Sequence, residues 1–587
     1  MKFNSGKIGL GMFLLCAGSF SSQGQTQLTL SDFQSPSKSW KEAAQVWADP
    51  QEATMLYSDG EGTVFYNLPD RKNPGKDLIS SSEYGDVELK MEYLMAPGSN
   101  SGLYLQGQYE IQLLDSWTTT YPKAGDNGGI YQRWDESKPE AEKGYEGYAP
   151  RQNASKAPGL WQTLEVGFEA PRFSASGEKI KNAHIRYVRL NGVVVQEDVS
   201  LSGPTRGALQ AKDIARGPLR IQGDHGPIAI RNLEVKAMDT PAPQINALTY
   251  EAYAGSFTEL NQIEGKSPDI TGEFETLADF SSGVRGNSLV KVEGTLQVEK
   301  SGIYRFDMAS AQGLVRMDLA DQSSGELSRN GINLEANLEK GSHPITFWVS
   351  KPRDWSTQGF RLQVSEANLW PVALSEPAGF AEWNTDPIWV DTQENPIIRS
   401  FMEMPDRGKI SHGVSVSSQA GIHFSYDLST GRLIRVWRGE FLDATPMWNN
   451  RGNGVSRPLG SQTYLDSRSK SDPIAGIADF QPKGYQVMGD GAVKFLAQAG
   501  ANQISDVLML LEDGTGIKRT ITLGNSGSEV IAIAEGSQIK EIKQGLYLIE
   551  DTGLYLSLSD ANMKPTVNSE GQVVLPINST LTYTLLF

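Results

Sequence analysis

Over most of its length the chain alternates apolar and polar residues in short stretches, broken by Gly, Asn, Asp and Ser. Val87-Glu-Leu-Lys-Met-Glu-Tyr93 and His184-Ile-Arg-Tyr-Val-Arg-Leu190 are examples. A period of two sends successive side chains to opposite faces, so each stretch reads as a half-buried antiparallel strand. Asn191-Gly192 follows the second and signals a hairpin. Helical periodicity is almost absent. Many short strands at short spacing predict an all-β chain of multidomain β-sandwiches.

Two proline-marked stretches divide that pattern: Met238-Asp-Thr-Pro-Ala-Pro-Gln-Ile-Asn246, and the stretch from Trp370-Pro371 to Pro387. They predict domains at 27–238, 247–372 and 384–587. A length of 587 residues agrees, since one core rarely serves more than about 150–250.

The run from Leu103 to Leu113 concentrates the chemistry. Its odd positions Leu103, Leu105, Tyr109, Ile111 and Leu113 are mostly apolar, and Gln106, Gln108, Glu110 and Gln112 are all polar. On a strand the polar set shares one face. That face is either a solvated outer surface or a ladder of amides and a carboxylate. Tyr104, Trp117 and Tyr121 flank it. Amides suit sugar hydroxyls, and aromatic rings suit the C–H face of a pyranose.

A net charge of -17 points away from nucleic acid, which needs clustered Lys and Arg, and remains compatible with neutral sugars. At the start of the chain Lys2 and Lys7 flank an apolar stretch, Ile8 to Ala17, followed by Ser19, Ser21, Ser22 and Gly24. Residues 1–24 therefore read as a secretory signal, implying a periplasmic or secreted protein. No later apolar run approaches the roughly 20 residues of a membrane helix, so no membrane span is expected. The only cysteine, Cys16, follows Phe13-Leu14-Leu15, which lacks the small residue expected before a lipidated cysteine. Removal of the signal would leave no thiol for disulfides, Cys–zinc sites or covalently attached haem.

Further motifs surround the Leu103–Leu113 run. They include Ser99-Asn100-Ser101-Gly102, Asp115-Ser116, Gly129-Ile130-Tyr131 and Asn153-Ala-Ser-Lys-Ala-Pro-Gly-Leu-Trp161-Gln-Thr163. Ala170-Pro171-Arg172-Phe173, Leu190-Asn-Gly-Val193, Gly217-Pro-Leu-Arg-Ile-Gln222-Gly-Asp224-His225-Gly-Pro227 and Arg231-Asn-Leu233 follow in order. Together these resemble the 3-keto-disaccharide hydrolase domain family. The resemblance implies a concanavalin-A-like jelly roll and cleavage of glycosides already oxidised at carbon 3. A ketone there acidifies the carbon-2 proton. A base removes it, the enolate expels the aglycone, and water adds to the enone. Such a site needs a base, a donor at the enolate oxygen and an acid for the leaving group.

With that resemblance Glu110 is the first candidate base, with Asp115 next, and His225 in its Asp-His-Gly turn is the candidate acid/base. Arg231 either stabilises the enolate or orders its loop. Asn100, Gln106, Gln112, Tyr131 and Trp117 are expected to hold the sugar. Members of the family often carry Arg where this chain has Gln106, so a charged anchor is missing. No cofactor is specified. A divalent metal would suit an enolate, with Glu110, Asp115 and His225 as candidate ligands.

Residues 247–372 resemble a protective-antigen-type β-sandwich through Leu248-Thr-Tyr250, Gly302-Ile-Tyr304-Arg-Phe306 and Gly341-Ser-His343. Such modules either bind carbohydrate or act as spacers. Residues 384–587 resemble β-rich regions joined to periplasmic haem or sugar-dehydrogenase proteins. Their His423, Trp437, Asp443 and Trp448 either form a sugar cleft or serve as core and turn residues. Three functions stay open: an enzyme acting on 3-keto-glycosides, a non-catalytic carbohydrate-binding protein, and a conventional glycosidase using two carboxylates.

Overall fold

The computed structural model describes residues 24–587 apart from 282, 355–358, 376–385, 450–451, 468–473, 475–478 and 526–528. The signal-like segment, including Cys16, lies outside the described residues except for Gly24. The chain is 53% strand and 3% helix, so the all-β expectation holds. Among the described residues no helix is long and apolar enough to cross a membrane.

Two sheets build the first sandwich. In the eight-stranded sheet the main path runs Val193–Leu201, Ala183–Leu190, Gln162–Glu169, Val87–Met95, Ile228–Ala237, Tyr57–Asn67, Trp40–Trp47. The four-stranded sheet runs Leu78–Tyr84, Gly217–Ile221, Asn100–Leu105, Tyr109–Leu114. The alternating residues meet between them: Leu89, Met91 and Tyr93 from one sheet face Leu103, Leu105, Ile111 and Leu113 from the other. Asn191 and Gly192 both take positive φ, 49° and 81°, and turn Ala183–Leu190 into Val193–Leu201. This is the backbone that a two-residue hairpin requires.

The chain forms two compact units. One includes Thr240–Ala378, a sandwich of six- and four-stranded sheets around Tyr304, Phe306, Phe347 and Phe360. The other joins Thr26–Asp239 to Gly379–Phe587. Its C-terminal part holds five-, eight- and three-stranded sheets around one core, from Val414 and Phe424 to Ile521 and Leu585. Within this unit Tyr555 donates to the carbonyls of Ala48 and Pro158, at 2.9 and 3.1 Å. Lys543 pairs with Asp49 at 2.6 Å. Around them Ala157, Leu160, Leu546, Leu548 and Leu586 form an apolar seam that removes water from both partners.

Candidate active site

The outer face of the four-stranded sheet carries the polar positions of the Leu103–Leu113 run. Strand register lines up Arg220, Tyr104 and Glu110 across three neighbouring strands. The even positions are not solvated: Gln106, Gln108, Glu110 and Gln112 are all at most 5% exposed. Crossing segments cover them. The Gln108 amide holds the carbonyls of Gln210 and Lys212 and accepts from the Ile214 amide. Thr205 Oγ1 accepts from the Glu110 amide at 3.1 Å. On the other side the Tyr131 amide donates to the Glu110 carbonyl at 3.0 Å.

Beneath this cover Glu110 has no cationic ion-pair partner among the described residues. Burial pushes its carboxyl up to about 7, against the opposing pull of a Tyr104 hydrogen bond and the Arg220 charge. Asp77 and Asp224 push it further in the same direction as burial. Arg220 is committed to Asp77, with Nε 2.6 Å from its carboxylate, while its guanidinium lies 4.3 Å over the Tyr104 ring. Tyr104 is pushed far up, first by burial, so it keeps its proton. Gly102 makes the arrangement sterically possible. A Cβ there would lie 2.2 Å from Glu110 Oε1. A buried carboxyl poised near neutrality is the electrostatic signature of a proton-transfer group.

His225 is brought to the same end of the face. Its loop hangs from Asn100–Leu105: the Asn100 amide donates to the His225 carbonyl at 3.1 Å, and Ser101 Oγ donates to the Gln222 carbonyl at 2.7 Å. Nδ1 lies 2.5 Å from Asp224 Oδ1 and 3.2 Å from Gln222 Nε2. A carboxylate at Nδ1 assigns the proton to that nitrogen and leaves Nε2 as the acceptor. Gln112 Nε2 donates to Asn100 Oδ1 at 2.6 Å. Glu110, Gln112, Asn100, Tyr131 and His225 are therefore gathered on or around one face.

Four predicted residues lie elsewhere or are otherwise engaged. Asp115 closes a turn, accepting from the Gly98 amide at 2.9 Å and the Trp117 amide at 3.3 Å. Gln106 sits at a hairpin with φ 54° and is 1% exposed, its amide donating to the Ala215 carbonyl at 3.0 Å. It ties loops rather than offering an anchor to solvent. The Trp117 indole donates to the Phe587 carbonyl at 2.7 Å and packs in the apolar seam. Arg231 stands on the eight-stranded sheet, clamped to Glu92 at 2.6 Å and 4.1 Å over Trp161. No three His, Asp or Glu side chains converge as metal ligands among the described residues, so the trio Glu110, Asp115 and His225 is not assembled.

Gly102, Arg220 and Asp77 join this row from outside the candidate set, and Tyr104 is only a flank in the sequence. Their sequence signal is weak, because the register that aligns Arg220 with Tyr104 is a long-range pairing. In the C-terminal part Trp437 is fully buried and stacked on Phe441, whereas Trp448 is 78% exposed. Of the quartet His423, Trp437, Asp443 and Trp448, His423 lines a cavity bounded by segments 390–393, 418–421 and 438–441.

The family model for a 3-keto-alpha-glucoside-1,2-lyase-like domain matches residues 29–236. That span matches a carbohydrate-active family. No curated protein matches the chain. Two solved structures from Parabacteroides distasonis, each described as a "putative glycosyl hydrolase", are similar to part of it. One is 25% identical and covers 36% of this chain and 83% of its own, with a TM-score of 0.24. The other is 20% identical and covers 34% and 98%, with a TM-score of 0.21.

Proposed function

We propose that the first sandwich cleaves glycosides bearing a ketone at carbon 3. The observation that carries this reading is Glu110, a buried carboxyl raised to about 7 within a span matched by a 3-keto-alpha-glucoside-1,2-lyase-like domain. A carboxylate there is basic enough to take the carbon-2 proton, which an ordinary sugar C–H would not yield. The electron pair left on carbon 2 delocalises to the ketone oxygen. Collapse of the enolate forms a carbon-1–carbon-2 double bond and breaks the bond from carbon 1 to the aglycone oxygen. Water then adds its hydroxyl at carbon 1, and carbon 2 regains a proton. The net change is hydrolysis.

Tyr104, which keeps its proton, and Arg220 are the donors nearest to Glu110 in the row. They are suited to meet the enolate oxygen. The departing aglycone oxygen takes the proton that Glu110 removed, and His225, oriented by Asp224 so that Nε2 accepts, takes the proton of the attacking water and returns it to carbon 2. The same proposal places the protein in the periplasm or outside the cell, on the pattern of residues 1–24.

The test compares a 3-keto-glycoside with its unoxidised parent. Aglycone release from the keto form alone, slowed by deuterium at carbon 2, is expected. Release from the parent would replace this mechanism with conventional glycoside hydrolysis. Binding without release from either would leave a carbohydrate-binding protein.

A further inference from the structure

Asp77 lies outside the Glu110 row, at the residue before strand Leu78–Tyr84, yet it touches the row at two points. Arg220, Tyr104 and Glu110 are aligned across three neighbouring strands, with Tyr104 between the other two. Two strand spacings separate the backbones of Arg220 and Glu110, about 10 Å, which the two side chains together can span. They do not meet. Arg220 Nε donates to Asp77 Oδ2 at 2.6 Å, and a terminal nitrogen donates to the Gly207 carbonyl. The guanidinium then rests 4.3 Å over the Tyr104 ring. The Asp77 and Arg220 side chains are mostly buried, so water screens their contact weakly.

The second oxygen of Asp77 has a different task. Oδ1 accepts from the Gly223 amide at 3.0 Å, at the start of the loop that carries Asp224 and His225. Segment 75–77 is fitted closely against this loop. A Cβ at Gly75 would lie 1.8 Å from the Gly223 carbonyl oxygen, and one at Gly223 would lie 2.2 Å from the Lys76 carbonyl oxygen. Asn67 Nδ2 donates to the Gly223 carbonyl at 2.6 Å, and the Trp40 indole donates to the Lys76 carbonyl at 2.7 Å. One carboxylate therefore grips both the cation of the row and the loop of the histidine.

The charges around Glu110 show what the first grip does. Tyr104 and Arg220 face it from the neighbouring strands and favour its ionised form. Asp77 and Asp224 face it from the segment and the loop and oppose that form. The crossing segments reach only its main chain, through the Thr205 hydroxyl and the Tyr131 amide. An arginine within about 4–6 Å of a carboxyl commonly lowers its pKa by about 1–3. With Arg220 drawn to Asp77, that full effect is not felt, and burial governs the base.

We propose that Asp77 is a positioning residue of this site: it holds Arg220 off Glu110 and ties the His225 loop to the same edge of the row. The inference rests on the reading of Glu110 as the base. Asp77→Asn separates the two tasks, because the amide oxygen still accepts from Gly223 while the charge that holds Arg220 is gone.

Infrared difference titration of the full chain reads the protonated Glu110 carboxyl directly, as the band that Glu110→Gln removes. Its midpoint is expected at about 7 in the parent. In Asp77→Asn the midpoint should fall by at least about 1, a tenfold weaker hold on the proton. The acid limb of kcat/KM for a 3-keto-glycoside should move down with it, which a merely structural role would not cause. Arg220→Gln should raise the midpoint much more in the Asp77→Asn background than in the parent, since only there is the guanidinium free to approach. Equal effects of Arg220→Gln in both backgrounds, or an unmoved midpoint in Asp77→Asn, would overturn the proposal. The infrared shift without aglycone release by the parent would uphold the positioning and sink the chemistry read at Glu110 instead. Asp77→Ser, whose hydroxyl can also accept from Gly223, gives the same reading if Asp77→Asn does not fold.

Discussion

The two sheets of the first sandwich each turn a polar face outward, and the two faces are built on opposite principles. On the eight-stranded sheet, carboxylates meet cations. Glu165 pairs with Arg189 at 2.5 Å, Glu169 with Arg186 and Lys181 at 2.6 and 2.8 Å, and Glu92 with Arg231 at 2.6 Å. On the four-stranded sheet, loops cover the polar row, amides are spent on main-chain groups, and Arg220 is taken by Asp77. The buried carboxyl that remains, Glu110, is left near neutrality. Paired carboxylates in partial solvent stay ionised and weakly basic. An unpaired one under cover can exchange a proton near pH 7, at the expense of stability when ionised.

The sharpest way to break this contrast is to neutralise one group on each face. Glu110→Gln should lower turnover of a 3-keto-glycoside by about 10²–10⁴-fold, the usual range for loss of a proton-transfer group. Arg231→Gln, which spares that row, should leave kcat within about twofold. Assayed side by side, equal losses would erase the distinction between the faces.

The same residue should report in stability, with the sign set by burial. The Glu110 carboxyl lies near 7 in the folded chain and near its ordinary 4.5 when unfolded. The folded state therefore holds its proton more tightly. This contribution is fully present below about pH 4.5 and is lost as pH rises through about 7. Glu110→Gln removes the ionisation, so the variant should be the more stable protein at pH 8, by no more than about 3 kcal/mol, and roughly equal to the parent at pH 4. Urea unfolding at the two pH values measures this. In the parent protein, kcat/KM for a 3-keto-glycoside should rise with pH up to about 7, as the base ionises.

Packing gives the next effect. At Gly102 a methyl group would strike Glu110 Oε1, at 2.2 Å, so Gly102→Ala must move the carboxyl. A displacement approaching 1 Å should reduce kcat by about 10–100-fold, with KM less affected. A full rate in Gly102→Ala would show that the carboxyl's position across the neighbouring strand is not what the chemistry needs.

Local pattern made part of this legible. Alternation in Leu103–Leu113 placed the odd residues in the core, where Leu103, Leu105, Tyr109, Ile111 and Leu113 are 0% exposed. Asn191-Gly192 announced its own turn because φ is a local property. What covers a strand is not local. Gln106 and Gln108 are equally polar in the sequence, yet both are consumed by loops from about 100 residues further along. Arg231 reads as a site arginine for the same reason: nothing near it in the chain shows that Glu92, 139 residues earlier and opposite it on the neighbouring strand, already holds it. Trp117 is an aromatic beside a sugar-like strand until the distant Phe587 carbonyl takes its indole.

The smallest expected effect lies on the paired face, and its smallness is the point. Glu165 and Arg189 are cross-strand partners with side chains 24% and 31% exposed. Their short contact is strong in Coulombic terms, but water screens it, and both chains lose rotamer freedom in making it. A double-mutant cycle of Glu165→Gln and Arg189→Gln should return a coupling of about 0.5 kcal/mol, reduced further at high salt. Neither single variant should alter turnover. A coupling several times larger, persisting in high salt, would mean that the face is a structural clamp rather than a solvated surface. The contrast would then be between two rigid networks, and Glu110 would owe its raised value to burial without any difference in how the sheets manage charge.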